Sequence, residues 1–251
     1  MDALLERTFE AEQRHFWFRG FKRFVAPFMQ EATAGRSSAK LLDAGCGTGV
    51  NLPLLSEYGN AIGVELVWRG LQFAHQRGIS GLIQGSVTNL PFAPETFDAV
   101  VSFDVLYCLD TPDEQAALAE MFRVLMPGGS LVVNVAALEF LKGDHSTLGR
   151  EVRRYTKRDL SAKLESAGFE IRRITYTNAS LFPIIAAVRM MQRMRGVRVE
   201  EDNPGDFYVP PAPVNAVFAG ALTLESKLIK MGVHMPVGSS LLCLAKKPGR
   251  Y

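Results

Sequence analysis

Two acids and three glycines carry the first chemistry that this sequence offers. The segment LLDAGCGTG (41–49) sets Asp43 just ahead of Gly45, Gly47 and Gly49. Glycines at alternate positions let backbone N–H groups approach a ligand, because no Cβ stands in the way. The spacing is G-x-G-x-G. The dinucleotide fingerprint G-x-G-x-x-G needs a glycine at position 50, where Val50 stands. A carboxylate before the loop repels a pyrophosphate and attracts an ammonium, directly or through water. Glu65 closes AIGVE (61–65), and an acid at the end of a second strand can accept both hydroxyls of a ribose.

Other chemistry-bearing residues lie further along. The four histidines are His15, His75, His145 and His234. His145 follows the fifth strand, at the carboxyl end where acceptor-side residues belong, so it is the expected general base. Tyr107 is expected as an orienting hydroxyl. Arg153, Arg154 and Tyr155 precede a helix start, a place where paired arginines can clamp a carboxylate or phosphate. Their alternative role is to bridge acids of the chain itself. Cys46, Cys108 and Cys243 are scattered and lack C-x-x-C spacing, so no metal site and no disulfide framework is expected.

These residues need a framework to position them. KLLDA (40–44), AIGVE (61–65), GLIQG (81–85), DAVVSF (98–103) and SLVVNVAA (130–137) are apolar strand-like runs separated by helical patterns. Such alternation predicts a parallel, doubly wound α/β sheet. Thr111-Pro112 is expected to open a helix that runs to about Leu125. TKRDLSAKLESAG (156–168) reads as a helix capped by Thr156 and ended by Gly168, and FEIRRITYT (169–177) as a strand. Helices near 180–195 and 214–231 flank a Pro-rich loop, and SSLLCLAKK (239–247) is a last strand. The expected division is an N-terminal helical lid or packing arm (1–39), a Rossmann-like core (40–178), a helical cap inserted over the substrate pocket (179–236) and a final core strand (237–251).

The chain has 251 residues, 47% hydrophobic and 22% charged, which excludes a disordered or collagen-like chain. Residues 41–141 carry 3 Lys/Arg against 11 Asp/Glu, whereas residues 142–198 carry 13 against 5. The acidic stretch suits a cationic cofactor; the basic one suits an acidic substrate, an anionic surface or simply solvent. The N-terminus lacks the apolar run of a secretory signal, and no apolar run reaches about 18 residues. A cytoplasmic protein is expected.

LLDAGCGTG, GVE, LPFAPETFDAVVSFDVL (90–106) and MFRVLMPGGSLVV (121–133), in that order, resemble the class I S-adenosylmethionine-dependent methyltransferases of the small-molecule type 11 kind. HFWFRGFKR (15–23) and the H-x7-RRYT pattern from His145 to Thr156 are similar to a bacterial subgroup. The resemblance implies a seven-stranded sheet with its last strand antiparallel, and S-adenosyl-L-methionine lying across the carboxyl ends of strands one to four. It implies that Asp43, Gly45, Cys46, Gly47 and Gly49 line the methionine and ribose, and that Glu65 takes the ribose hydroxyls. Leu66 is implied against the adenine, Ser86 and Val87 near it, and Phe103 and Asp104 beside the methionine end. The sequence departs from the family at three places. Ser86 replaces an acid after the third strand, Cys108 replaces the usual histidine of the DVLEH run, and Ser146, Arg150 and Glu151 alter the pattern around RRYT.

The function expected from all this is methyl transfer to a small, hydrophobic acceptor, on oxygen rather than nitrogen or carbon. An acidic or lipid-like acceptor and peripheral membrane contact fit the basic stretch and the Met-rich segment LFPIIAAVRMMQRMRG (181–196). No nucleic-acid partner is expected. The alternatives are a nucleic-acid methyltransferase, and a cofactor-binding protein with non-methylating chemistry such as ring closure.

Overall fold

The computed structural model describes residues 2–12, 14–142, 151–195 and 209–249. Seven strands form one sheet in the order β3-β2-β1-β4-β5-β7-β6. They are β1 (Ala39–Ala44), β2 (Gly59–Glu65), β3 (Leu82–Gln84), β4 (Phe97–Phe103), β5 (Leu125–Ala136), β6 (Glu170–Thr177) and β7 (Ser240–Lys246). The β1–β2, β1–β4, β2–β3 and β4–β5 pairings are parallel, while β7 runs antiparallel to both β5 and β6. Strand order reverses between β1 and β4, which opens a crevice at their carboxyl ends.

Strand alternation sorts the apolar residues onto two faces. Leu42, Val133 and Cys243 face one layer, built from α5 (Thr111–Val124) and α6 (Lys157–Ser166). Leu41, Val132 and Leu242 face the other, built from α2 (Phe16–Ala32), α3 (Leu52–Leu55), α4 (Trp68–Gln76) and α8 (Ala212–Lys230). Helix α7 (Phe182–Arg195) sits between β6 and α8 in the chain. No described helix is long and apolar enough to cross a membrane.

Local signals account for most boundaries. α6 starts with a capping box in which Thr156 and Asp159 satisfy each other's backbone, and Gly168 follows its end at φ +92°. The cap of α5 lies one residue earlier than expected. The Asp110 carboxylate accepts from Asp113 N, and Thr111 is already helical.

The segment 1–39 divides in two. Helix α2 has Phe21, Phe24, Val25, Phe28, Met29 and Ala32 buried, spaced by three and four residues as one helical face. This face packs in the core layer beneath the sheet. Its N-terminus is capped by His15, whose Nδ1 accepts from Trp17 N. Helix α1 (Asp2–Ala11) lies separately, against α4. Because Phe28 is fully buried, Phe28→Ala should cost about 3–5 kcal/mol of unfolding free energy in urea titration. A loss below about 1 kcal/mol would mean that α2 can leave the core as a lid does.

Candidate cofactor and acceptor site

Asp43 lies at the carboxyl end of β1, paired in register with Gly63 of β2 and Val101 of β4. It is buried, and its Oδ2 has no hydrogen-bond partner among the described residues. Burial, and then the nearby Glu65 charge, push its carboxyl up to about 7. Glu65 ends β2, one strand away. Its Oε2 accepts from Gly47 N at 2.9 Å and its Oε1 from Val67 N at 2.8 Å. Each oxygen keeps a lone pair for a further donor.

The three glycines serve different ends, although all have positive φ. A Cβ at Gly45 would strike Val105, and one at Gly49 would strike Ala74 and Ile79. These two allow close packing. A Cβ at Gly47 would meet nothing within 4 Å, so the loop presents open space there, beside the Glu65 carboxylate. Cys46 turns its side chain the other way, into the core near Gly63. Burial first, then Asp43 and Glu65, hold its thiol protonated. Cys46 therefore offers backbone, not a nucleophile.

Leu66 is 62% exposed just past β2 and presents an apolar surface. Ser86 bonds Thr88 through its hydroxyl, at 2.7 Å, and Val87 is buried beside it. Phe103 is buried with its ring edge-to-face against Phe21 at 5.1 Å, so its side chain belongs to the α2 layer. Asp104 follows at φ +62°. Its backbone N donates to Asn134 O at 3.0 Å, and Asn134 Nδ2 donates to its Oδ1 at 2.9 Å. Burial raises the Asp104 carboxyl to about 7, against the Asn134 bond that lowers it; Glu151 raises it further and Arg154 opposes that.

Tyr107, Cys108, Glu151 and Arg154 surround Asp104 closely enough to perturb it or one another. Burial, then the Asp104 charge, holds the Tyr107 phenol protonated, so it can donate and orient but not act as a base. The Arg153-Arg154-Tyr155 triplet is engaged by the chain's own acids. Arg154 forms a bidentate pair with Glu151, at 2.9 and 3.1 Å. Arg153 donates to Glu114 at 3.0 Å and to Thr111 at 2.9 Å. Tyr155 is 1% exposed, and its hydroxyl donates to Glu114. The bonds of Arg153 and Tyr155 join α5 to the segment before α6, and the Arg154–Glu151 pair lies within that segment. His145 lies outside the described residues, as do Ser146 and Arg150.

Three contributors escaped sequence reasoning. Asn134 had a legible signal, a lone amide inside the apolar run SLVVNVAA. Glu12 and Thr48 had none. The Thr48 hydroxyl, inside the glycine loop, donates to the buried Glu12 carboxylate, which also pairs with Arg77. Phe9 stacks on Phe73 at 4.5 Å and Arg69 pairs with Glu6, so α1 is fastened over α4 and the loop. The loop also borders a cavity of about 270 Å³, lined by Glu12, Arg19, Lys22, Val50, Pro53 and Arg77.

A crevice with a partnerless buried carboxylate, an acid at the second strand and open space over the middle glycine suits a cationic nucleoside. Residues 42–133 match the methyltransferase-domain family model. The chain carries a class I S-adenosylmethionine-dependent methyltransferase domain. It is 30% identical over 172 residues to a probable S-adenosylmethionine-dependent methyltransferase of Mycolicibacterium smegmatis, covering 66% of this chain and 64% of that one. It is 35% identical over 116 residues to the human probable tRNA methyltransferase 9B, covering 46% of this chain and 24% of that protein. A solved complex between the Haloferax volcanii Trm112 methyltransferase activator and a methyltransferase shares the fold at TM-score 0.61 and 18% identity, covering all of this chain and 96% of the matched one. The chain spans a quarter to two thirds of the length of these curated relatives.

The residues present fit the cofactor of this methyltransferase domain, S-adenosyl-L-methionine. In that fit Asp43 would supply a buried carboxyl that charges against the cation, Glu65 would supply acceptors for ribose hydroxyls, and Leu66 would supply an apolar surface for the adenine. Removing the Asp43 charge has opposite effects on folding and binding. Its folded pKa of about 7 exceeds the unfolded value, so the unfolded chain releases this proton first. Stability is therefore lost as pH rises from about 4 towards 7. Asp43→Asn should raise the melting temperature of the cofactor-free protein at pH 8, on the order of 2 kcal/mol of stability, with little effect at pH 4. It should weaken S-adenosylmethionine binding at least tenfold. Unchanged stability at pH 8 would contradict an uncompensated charge.

Proposed function

We propose that this protein transfers the methyl group of S-adenosyl-L-methionine to an oxygen atom of a small, hydrophobic acceptor. The chemistry supplied by the bound cofactor is in-line displacement of a methyl group from a sulfonium. The protein's task is to align the acceptor, exclude water and take up the acceptor's proton. The observation that carries the reading is the Asp104–Asn134 pair. It holds a carboxyl that titrates near neutrality at the end of β4, one strand from the glycine loop. Asn134 fixes one carboxylate oxygen of the half-buried Asp104. Tyr107, held protonated, orients the acceptor by donating. His145 remains a proposed base.

The hydrophobic character of the acceptor is supported by α7. Phe182 of that helix meets Phe140 edge-to-face at 6.1 Å, which brings the helix to the turn beyond β5. Arg153 and Arg154 pair with Glu114 and Glu151, so they lend little support to an acidic acceptor.

A second reading is an RNA acceptor, favoured by the 35% identity to the human tRNA methyltransferase domain and by the basic stretch 142–198. It requires salt-sensitive binding of tRNA in a filter assay; an absence of such binding would leave the small-molecule reading.

Asp104→Asn tests the proton acceptor. Against a methyl-accepting phenol or alcohol, kcat/KM of the parent should rise as pH increases through about 7. The variant should lose about 10²–10⁴-fold in kcat and lose this limb of the profile. If His145→Ala removes the limb and Asp104→Asn keeps it, His145 is the base instead.

A further inference from the structure

Helix α8 has two apolar faces, and only one is used by the fold. Ala219, Leu222, Ser226 and Ile229 are buried, and the helix lies along α2. Val214, Val217, Leu224, Leu228 and Met231 form a second stripe at helical spacing, with Val217 68%, Leu224 63% and Met231 79% exposed. Isolated exposed apolar residues are ordinary, but a continuous stripe this long is not. Lys227 and Lys230 are exposed beside it. The helix's acid, Glu225, is buried and accepts from Ala179 N, Ser180 N and the Ser180 hydroxyl.

Helix α7 extends the surface. Ile184, Val188, Met190 and Met191 are exposed, whereas Arg189 is buried. Leu181 and Ile185 at its start pack in the same core cluster as Phe218 and Leu222 of α8. The described outward side of the two helices thus combines apolar side chains with cations and presents no carboxylate. Among the described residues, a second copy of this face would offer Lys227 and Lys230 no opposite charge. Lipid phosphates would, while the apolar stripe enters the acyl boundary.

We propose that the outer faces of α7 and α8 dock the protein peripherally on an anionic lipid bilayer. This goes beyond the methyl-transfer reading and is measured without turnover, so either can fail while the other stands.

The experiment is co-sedimentation of the full chain with large vesicles of phosphatidylcholine, pure or with about a third phosphatidylglycerol. The parent should sediment with the anionic vesicles, much less with neutral ones, and less as salt is raised. Leu224→Asp combined with Met231→Asp should weaken binding at least tenfold, and Lys227→Glu with Lys230→Glu likewise. Both sites are exposed, and unchanged S-adenosylmethionine affinity would show that the variants fold. The proposal is overturned if the parent stays in the supernatant with both vesicle types, or if the variants bind as the parent does. It is also overturned if sedimentation equilibrium shows a dimer that Leu224→Asp abolishes, which would assign the face to a second copy of the chain.

Discussion

The structure is organised around a carboxylate buried with one oxygen unsatisfied. Asp43 sits where strand order reverses, between β2 and β4, and its Oδ2 meets no donor in the described chain. Burying such a group without a partner is costly, and a second acid nearby makes it costlier. Neutralisation by a bound cation relieves that cost. The fold therefore keeps an energetic preference for a positively charged ligand at the crevice that its topology opens.

The neighbouring parts follow from holding that crevice in shape. Glu65 ties the loop amide of Gly47 and the amide of Val67 to one carboxylate, so loop and second strand move as a unit. Thr48 reaches the other way, to Glu12, and makes α1 a brace on the same loop. On the acceptor side, Asn134 bonds both the backbone and the side chain of Asp104. The cofactor half is thus fixed by short-range bonds among strand ends. The proposed acceptor half draws on segments distant in sequence, namely the turn after β4, the segment before α6, and α7.

That difference also decides what the sequence discloses. Alternating strands, the Gly45-Gly47-Gly49 spacing and the Thr156 cap are local patterns with local causes, whereas the antiparallel last strand of the seven was implied by the family resemblance and not by alternation. Asp43 and Glu65 were legible because each ends a strand. Contacts between distant elements were not. Nothing near Glu12 announces that it accepts from Thr48, and the arginines at 153 and 154 carry no mark of their partners, Glu114 and Glu151. The aromatic cluster of α2 has the spacing of a buried face, but whether that face meets a sheet or a ligand depends on the other strands.

The decisive measurement is calorimetric titration of the cofactor-free protein at pH 7 with S-adenosyl-L-methionine, in two buffers of different ionisation enthalpy. The account predicts saturable one-to-one binding with net release of protons, because a cation arriving beside Asp43 drives its carboxyl to the charged form. No saturable heat with this compound, together with saturable binding of a nicotinamide dinucleotide, would contradict it.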